Sequence, residues 1–175
     1  YSMIPVTRRA DGSWLYDYSI MQRYIDMCTK AGIGGDIEIF GLVNVWTQNP
    51  QMPKDLCPEY PELLKIRYLD EADGCLKYVR DAEVMKDFVR SLERYFVETE
   101  QIERVRIAAD EPGDVEKYRK SLALLAELAP RFRCKCAINH AEFIGEFHDR
   151  IDDFVPYLRC TVVEYDRLMQ YYKDY

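Results

Sequence analysis

Short apolar runs that alternate with helical patterns constrain the fold of this chain more than any other feature. Four such runs are DIEIFGLVNVW, RVRIAA, FRCKCAI and CTVVEYD. The segments between them have the apolar spacing of amphipathic helices. Because strands that are joined by helices pair in parallel, the pattern predicts an α/β fold built from βαβ units.

The predicted helices are recognised by apolar residues three or four positions apart. In DYSIMQRYIDMCTKAG, the residues Ile20, Tyr24, Met27 and Cys28 share one face, which we expect to be buried. The other predicted helices are AEVMKDFVRSLERYFVETE, DVEKYRKSLALLAELA and AEFIGEFHDRIDDFVPYL. One insertion interrupts this alternation, since LKIRYLDEADGCLKYVRD places two short strands around Asp73-Gly74 and predicts a β-hairpin near residues 64–79.

The four strands fit either an open doubly wound sheet or part of a TIM-type (β/α)8 barrel. No glycine-rich phosphate loop follows any strand, as a nucleotide-binding sheet would require. The series Arg104-x-Arg106-x-Ala108-x-Asp110 matches Arg133-x-Lys135-x-Ala137-x-Asn139, which predicts layers of side chains inside a barrel. A whole barrel needs about 250 residues, so we predict a single domain, residues 1–175, that supplies about half of one.

The charged residues of the same strands predict a base layer inside that barrel. Asp36 and Glu38 have the parity and the sign to offset Arg104 and Arg106. We therefore expect these four side chains to pair, rather than to extend into solvent. The same parity places Asp110 and Asn139 together at the mouth of the barrel.

Composition excludes two classes of partner. The net charge of −7 and the pI near 5.0, without a stripe of Lys and Arg, argue against nucleic acid and anionic membrane surfaces. No apolar run approaches the about 18 to 20 residues that span a bilayer. The oligomeric state is left open by the sequence.

The six cysteines lack the CxxC spacing of a zinc site, and a chain of 175 residues needs no disulfide framework. We interpret them as reduced thiols in the core, which favours the cytoplasm. Cys134 and Cys136 could alternatively form a redox pair or bind a metal. Because residues two apart in a strand point to the same face, burial explains both of them.

The stretch RVRIAADEPGD ends its alternating run at two adjacent carboxylates, Asp110 and Glu111. The βα loops at the C-terminal ends of barrel strands form the active-site face. Pro112 disfavours the helical region for Glu111, so we expect an extended backbone there and a helix from about Asp114. Two neighbouring carboxylates cannot both ionise cheaply. We predict that Asp110 stays anionic and that Glu111 donates a proton, a division that suits glycoside hydrolysis.

An alternative is that Asp110 and Glu111 only cap the helix that follows. Other polar or aromatic residues share the predicted rim, and we interpret Trp46, Asn139, His140 and Tyr165 as substrate-binding. A tryptophan beside carboxylates suits stacking on a sugar ring. His140 has no second His, Cys or carboxylate at ligand spacing in the sequence, so we predict no metal site and no cofactor.

The segments MIPVTRRADGSWLYDYSIMQRYIDMCTKAGI and VRIAADEPGDVEKYR, with the strand that ends at Trp46, resemble the catalytic domain of glycoside hydrolase family 123. The resemblance extends over nearly all 175 residues, and the DEP at a strand end is its most specific element. It implies a TIM-type barrel, of which this chain is the N-terminal part. It also implies a retaining β-N-acetylgalactosaminidase without a cofactor.

In the family that the chain resembles, the 2-acetamido oxygen of the substrate attacks the anomeric carbon. The resemblance implies that Asp110 orients the acetamido group and that Glu111 is the general acid/base. The implied partner is a glycan with a terminal N-acetylhexosamine. Other hypotheses are a non-catalytic carbohydrate-binding or scaffold barrel, an inactive fragment of a larger enzyme, and an unrelated barrel lyase or hydrolase that uses the same acids.

Overall fold

A computed structural model describes residues 3–43, 57 and 64–175, which form two four-stranded sheets and six α-helices. The strands are β1 Val6–Arg8, β2 Trp14–Tyr16, β3 Ile37–Phe40, β4 Arg67–Asp70, β5 Cys75–Tyr78, β6 Val105–Asp110, β7 Arg133–Ile138 and β8 Asp153–Pro156. The helices are α1 Ser19–Lys30, α2 Ala82–Glu98, α3 Val115–Leu128, α4 Glu142–Phe147, α5 Leu158–Val163 and α6 Tyr165–Asp174. None of these helices is long and apolar enough to cross a membrane.

The predicted parallel sheet is present, and its strand order is β3-β6-β7-β8. All three neighbouring pairs are parallel. Helices α2 and α3 connect successive strands, so the mixed α/β fold predicted from the alternating pattern is confirmed. Within the described residues the sheet does not close on itself, and a partial barrel therefore stays a proposal.

The last part of the fold differs from the sequence prediction. We expected one helix over residues 141–158 and a strand over residues 160–166. Instead α4 ends at Phe147, the strand β8 occupies Asp153–Pro156, and the helices α5 and α6 follow it. Among the described strands β8 is at one edge of the sheet, where a proline such as Pro156 is tolerated because no described strand needs its N–H.

The hairpin predicted around Asp73-Gly74 is confirmed, since β4 and β5 pair in antiparallel fashion. It belongs to a second sheet with the order β2-β1-β4-β5, in which β1 and β4 are parallel. Asp70, only 3% exposed, lies at the end of β4 and accepts a hydrogen bond from Lys77 Nζ at 2.8 Å. Burial of this carboxylate is thus compensated by a cation across the hairpin.

One face of the parallel sheet packs against the helices. Val105 and Ile107 of β6, with Cys134 and Cys136 of β7, are buried in the same core as residues of α2 and α3. The helical residues of this core include Phe88, Val89, Leu92, Phe96, Tyr118, Leu122 and Leu125. Val6 of β1 belongs to this same core, so the second sheet shares it with the parallel sheet.

Helix α1 buries a different face from the one predicted. Met21 and Ile25 are buried, whereas Ile20, Tyr24 and Met27 are 45%, 52% and 57% exposed. The sequence offers two adjacent apolar stripes on this helix, and local periodicity does not decide which of them meets the core. No disulfide joins the six cysteines, all of which lie in the described residues, and Cys134 and Cys136 are buried as predicted, although Cys75 is exposed.

The opposite face of the parallel sheet carries the charged layer. Arg106, whose side chain is 12% exposed, binds Asp153 at 2.6 Å and lies 4.0 Å from Asp36. Glu38 pairs with Lys135 at 2.6 Å instead of with an arginine. Arg104 Nε donates to the Gly35 carbonyl at 3.1 Å. The hypothesis of a paired base layer therefore holds for Arg106 with Asp36, and the other partners differ from those predicted.

Candidate active site

Asp110 is the last residue of β6 and is exposed at the C-terminal edge of the parallel sheet. Its neighbour across the ladder is Ala137 of β7. Along β6 it shares the parity of Arg106 and Ala108, so it belongs to the face that bears the charged layer. The acidic side chain of Asp110 therefore lies at the end of a parallel strand, next to the small residues Ala108 and Ala137.

Glu111 has a left-handed backbone, with φ of 43°. The expected extended conformation is wrong, although Pro112 does keep Glu111 out of the right-handed helical region. The Glu111 N–H donates to the Ala137 carbonyl at 3.0 Å, which attaches this residue to the end of β7. A non-glycine residue with positive φ is uncommon and costs free energy, and such residues cluster at functional sites.

The helix that follows is capped by a different residue. Helix α3 begins at Val115, and its N-cap is Asp114, whose side chain accepts a hydrogen bond from the Lys117 N–H at 2.9 Å. Asp110 and Glu111 lie before this cap and are not its capping residues. The alternative that the carboxylate pair is a helix cap is therefore wrong.

Asn139 lies two residues further along the direction of β7 than the match between the two strand sequences predicted. We matched Asp110 with Asn139, but the register pairs Asp110 with Ala137, two residues earlier in β7. The internal correspondence in the sequence is thus offset by two residues from the spatial pairing. Asn139 is exposed just beyond the end of β7.

His140 belongs to a polar cluster at the same edge. Its Nδ1 lies 3.2 Å from Glu164 Oε1, and the Ala141 N–H donates to Glu164 Oε2 at 3.1 Å. The Ala141 N–H, and after it His140, hold the pKa of the Glu164 carboxyl below its ordinary value of 4.5. Sequence reasoning missed this contact, because the two residues are 24 positions apart.

The same cluster has carboxylates beside His140, which we did not expect when we predicted no metal site from the sequence. His140, Glu142 and Glu164 each offer one ligand atom, and these atoms lie within 4.8 Å of one another. Carboxylates are therefore near His140, contrary to the expectation. One imidazole with two carboxylates is a chemically suitable donor set for a divalent ion. However, Arg167 Nη1 already lies 3.3 Å from Glu142 Oε2.

The remaining predicted site residues have mixed outcomes. Trp46 lies outside the described residues. Tyr165 is 55% exposed, but it begins helix α6 and does not end a strand. Sequence reasoning missed Tyr157, which is 57% exposed and follows β8, because the segment was assigned to a helix. Its N–H donates to the Ile138 carbonyl at 2.7 Å, which fixes it beside the end of β7.

A family model for the catalytic domain of glycoside hydrolase 123 matches residues 1–173 of this chain. The chain belongs to glycoside hydrolase family 123. Membership makes hydrolysis of a glycan by the full-length protein the activity to propose. It leaves open which sugar is hydrolysed and which residues catalyse the reaction.

The fold is similar to that of a family 123 glycoside hydrolase from Clostridium perfringens, whose structural analysis addresses glycolipid glycan hydrolysis. The TM-score is 0.64 and the sequence identity is 20%, over 90% of this chain. The aligned region spans 27% of the Clostridium perfringens chain. No protein among curated sequences matches this chain significantly.

Proposed function

We propose that the protein is a retaining glycoside hydrolase of the β-N-acetylgalactosaminidase type, which acts on β-linked 2-acetamido sugars by substrate-assisted catalysis. The observation that carries the proposal is the pair Asp110 and Glu111 at the end of β6. Asp114, and not this pair, is the N-cap of the following helix, so helix capping does not account for the two acids. The positive φ of Glu111 is a local cost that a functional role would explain.

In the proposed reaction, Glu111 donates a proton to the glycosidic oxygen as the bond to the anomeric carbon breaks. The acetamido carbonyl oxygen of the same sugar attacks that carbon and forms a cyclic oxazolinium ion. Asp110 accepts a hydrogen bond from the acetamido N–H, which orients the group and stabilises its developing positive charge. Glu111 then removes a proton from water as the water opens the ring, so two inversions give net retention.

The other rim residues are proposed to bind the substrate. Trp46 would stack on the apolar face of a sugar ring. Asn139, His140 and Tyr165 would bind its polar groups. We also propose that Tyr157, which is exposed beside the end of β7, contacts the substrate. The proposed partner is a glycan with a terminal N-acetylhexosamine.

We also propose that the parallel sheet is part of a TIM-type barrel. The chain spans 27% of the similar glycosidase, so activity is proposed for the full-length protein. A site at the C-terminal edge of β6 is where barrel enzymes place their catalytic residues.

Aryl N-acetyl-β-galactosaminides and glucosaminides test this function in the full-length protein. We expect Glu111→Gln to abolish turnover of a substrate with a poor leaving group. Activity should return with a dinitrophenyl leaving group, which departs without protonation. Glu116→Gln, an exposed substitution in the first turn of α3, is the matched control and should retain activity. Full activity of Glu111→Gln on both substrates would exclude the acid role.

Substrate assistance has a separate test. A thiazoline analogue of the cyclised sugar should inhibit competitively and more tightly than the product sugar, and Asp110→Asn should weaken that inhibition. Turnover with weak thiazoline binding would exclude participation of the acetamido group. Sugar binding without any turnover by the wild-type protein would favour the non-catalytic carbohydrate-binding alternative.

A further inference from the structure

One carboxylate holds two parts of the loop that follows β7. Glu164 Oε1 lies 3.2 Å from His140 Nδ1, and Glu164 Oε2 accepts the Ala141 N–H at 3.1 Å. Ala141 is fully buried, whereas the side chains of His140 and Glu164 are 58% and 21% exposed. We call His140, Ala141 and Glu164 the rim clamp. In this clamp, the mostly buried carboxylate of Glu164 contacts the exposed imidazole of His140.

The chemistry of the rim clamp determines how the imidazole is protonated. An ionised carboxylate can only accept hydrogen bonds, so Nδ1 of His140 must carry a proton. The lowered pKa of Glu164 agrees with a carboxylate that stays ionised near neutral pH. In the neutral ring, Nε2 is then the acceptor. Such an acceptor is suited to the O–H of a bound sugar.

The rim clamp lies at the same edge of the parallel sheet as the candidate active site. Glu111 donates its N–H to Ala137, and Tyr157 donates its N–H to Ile138. The loop that contains His140 therefore leaves β7 between these two neighbours. His140 is two residues beyond Ile138, at the edge of the sheet to which Glu111 is attached.

We propose that Glu164 is a positioning residue that fixes His140 with Nε2 as the hydrogen-bond acceptor for a hydroxyl group of the glycan. The inference rests on the proposed function of the Asp110 and Glu111 site and adds a specificity determinant to it. Its ligand is the neutral sugar hydroxyl, not a carboxylate or phosphate, because a neutral Nε2 offers only a lone pair.

A divalent cation bound by His140, Glu142 and Glu164 is the competing use of these atoms. The Arg167 guanidinium, 3.3 Å from Glu142, already supplies positive charge to the cluster. Moreover, the Nδ1 proton that the clamp requires would have to leave before a metal could bind at that atom. These contacts favour the hydroxyl site, and the cation becomes an outcome of the test.

Glu164→Gln tests the rim clamp with little change in shape. The glutamine oxygen must face the Ala141 N–H, so its NH₂ group would face His140 Nδ1. That arrangement makes Nδ1 an acceptor and moves the proton to Nε2. The full-length protein is labelled with ¹⁵N-histidine. In the wild type, we expect the chemical shifts of His140 to show a protonated Nδ1, and in Glu164→Gln a protonated Nε2. The resonance is assigned by its loss in His140→Gln, and His148→Gln, which removes the chain's other histidine, is the control.

Kinetics test the hydroxyl contact itself. Glu164→Gln should lower kcat/KM for the aryl glycoside by about tenfold, the effect of losing one ordinary hydrogen bond. Among the 3-, 4- and 6-deoxy glycosides, the one that lacks the contacted hydroxyl should be slow with the wild type and no slower with the variant. His148→Gln should leave every rate unchanged. Equal losses on all glycosides would overturn the proposal, since a general structural defect predicts that pattern.

The design separates failure of this inference from failure of the proposed function. If the wild type hydrolyses no aryl glycoside, the His140 resonance is instead followed during titration with N-acetylgalactosamine. A shift at Nε2 that Glu164→Gln abolishes supports the contact, and an unchanged resonance overturns it. An Nδ1 without a proton in the wild type also overturns it. So does stoichiometric Zn²⁺ binding that both His140→Gln and Glu164→Gln abolish, since the cluster would then be a metal site.

Discussion

The left-handed backbone of Glu111 should make glycine more stabilising than alanine at this position. Its φ is 43°, a region that residues with a Cβ avoid and that glycine adopts freely. Comparing Glu111→Gly with Glu111→Ala removes the effect of the lost carboxylate, because both variants lack it. The difference between them then reports on the backbone.

The expected difference follows from two opposing terms. The left-handed conformation costs a residue with a Cβ about 1 to 2 kcal/mol. Glycine loses about 0.4 to 1 kcal/mol more than alanine on folding, because its unfolded chain is freer. The glycine variant should therefore be more stable than the alanine variant by about 0.8 kcal/mol, the middle of a range of about 0 to 1.6 kcal/mol. Both variants should be inactive if Glu111 is the acid.

Two other positions calibrate the measurement. Glu100, exposed beyond the end of α2, has φ of 58° and should also favour glycine. Lys120, exposed within α3, should favour alanine by about 1 kcal/mol. Urea unfolding of the full-length protein is followed by fluorescence and circular dichroism, whose transitions must coincide. If glycine is less stable than alanine at 111 while Glu100 and Lys120 behave as expected, the backbone of Glu111 is not strained.

Three further substitutions test the fold, each by urea unfolding. Phe96→Ala, which empties a fully buried site, should cost about 3 to 5 kcal/mol, and a loss under 1 kcal/mol would contradict the packing. Asp81→Ala removes the N-cap of α2, whose side chain accepts the Glu83 N–H at 2.8 Å, and should cost about 1 kcal/mol. Lys77 holds the pKa of Asp70 below its ordinary 3.8, so this stabilisation is present above pH 3.8 and disappears as the pH falls through the folded-state pKa. In Lys77→Met, the free energy of unfolding should therefore fall less as the pH is lowered. The same dependence on pH in the variant and the wild type would exclude the coupling of Lys77 to Asp70.

Alternation of apolar and charged residues in their first three positions made β6 and β7 predictable from the sequence. One face of each strand is buried against helices, so burial imposes an apolar residue at every second position. Strand β8 escaped prediction because it has only four residues and ends in Pro156. The segment CTVVEYD has β-branched residues, yet Val162 and Val163 are 69% and 70% exposed in or at the end of helix α5. Propensity for strands depends on packing that local sequence does not contain.

The carboxylate pair was predictable as chemistry but not as geometry. The DEP motif placed Asp110 and Glu111 at a strand end, and β6 does end at Asp110. The left-handed Glu111 depends on its hydrogen bond to Ala137 of the neighbouring strand, a contact that no local pattern reports. The contact between His140 and Glu164 was not predictable for the same reason. Glu164 lies between α5 and α6, in a segment whose sequence predicted a strand.

The two faces of the parallel sheet argue for a barrel against the doubly wound alternative. In a doubly wound sheet helices cover both faces, so both faces are apolar. Here one face is apolar against α2 and α3, and the other carries the pairs of Arg106 with Asp153 and Lys135 with Glu38. The proposed barrel accommodates this difference, because its helices cover the outside only and its inner face can hold a layer of paired charges. Phe40 and Val155, 63% and 44% exposed on that face, would then be covered by further strands of the barrel.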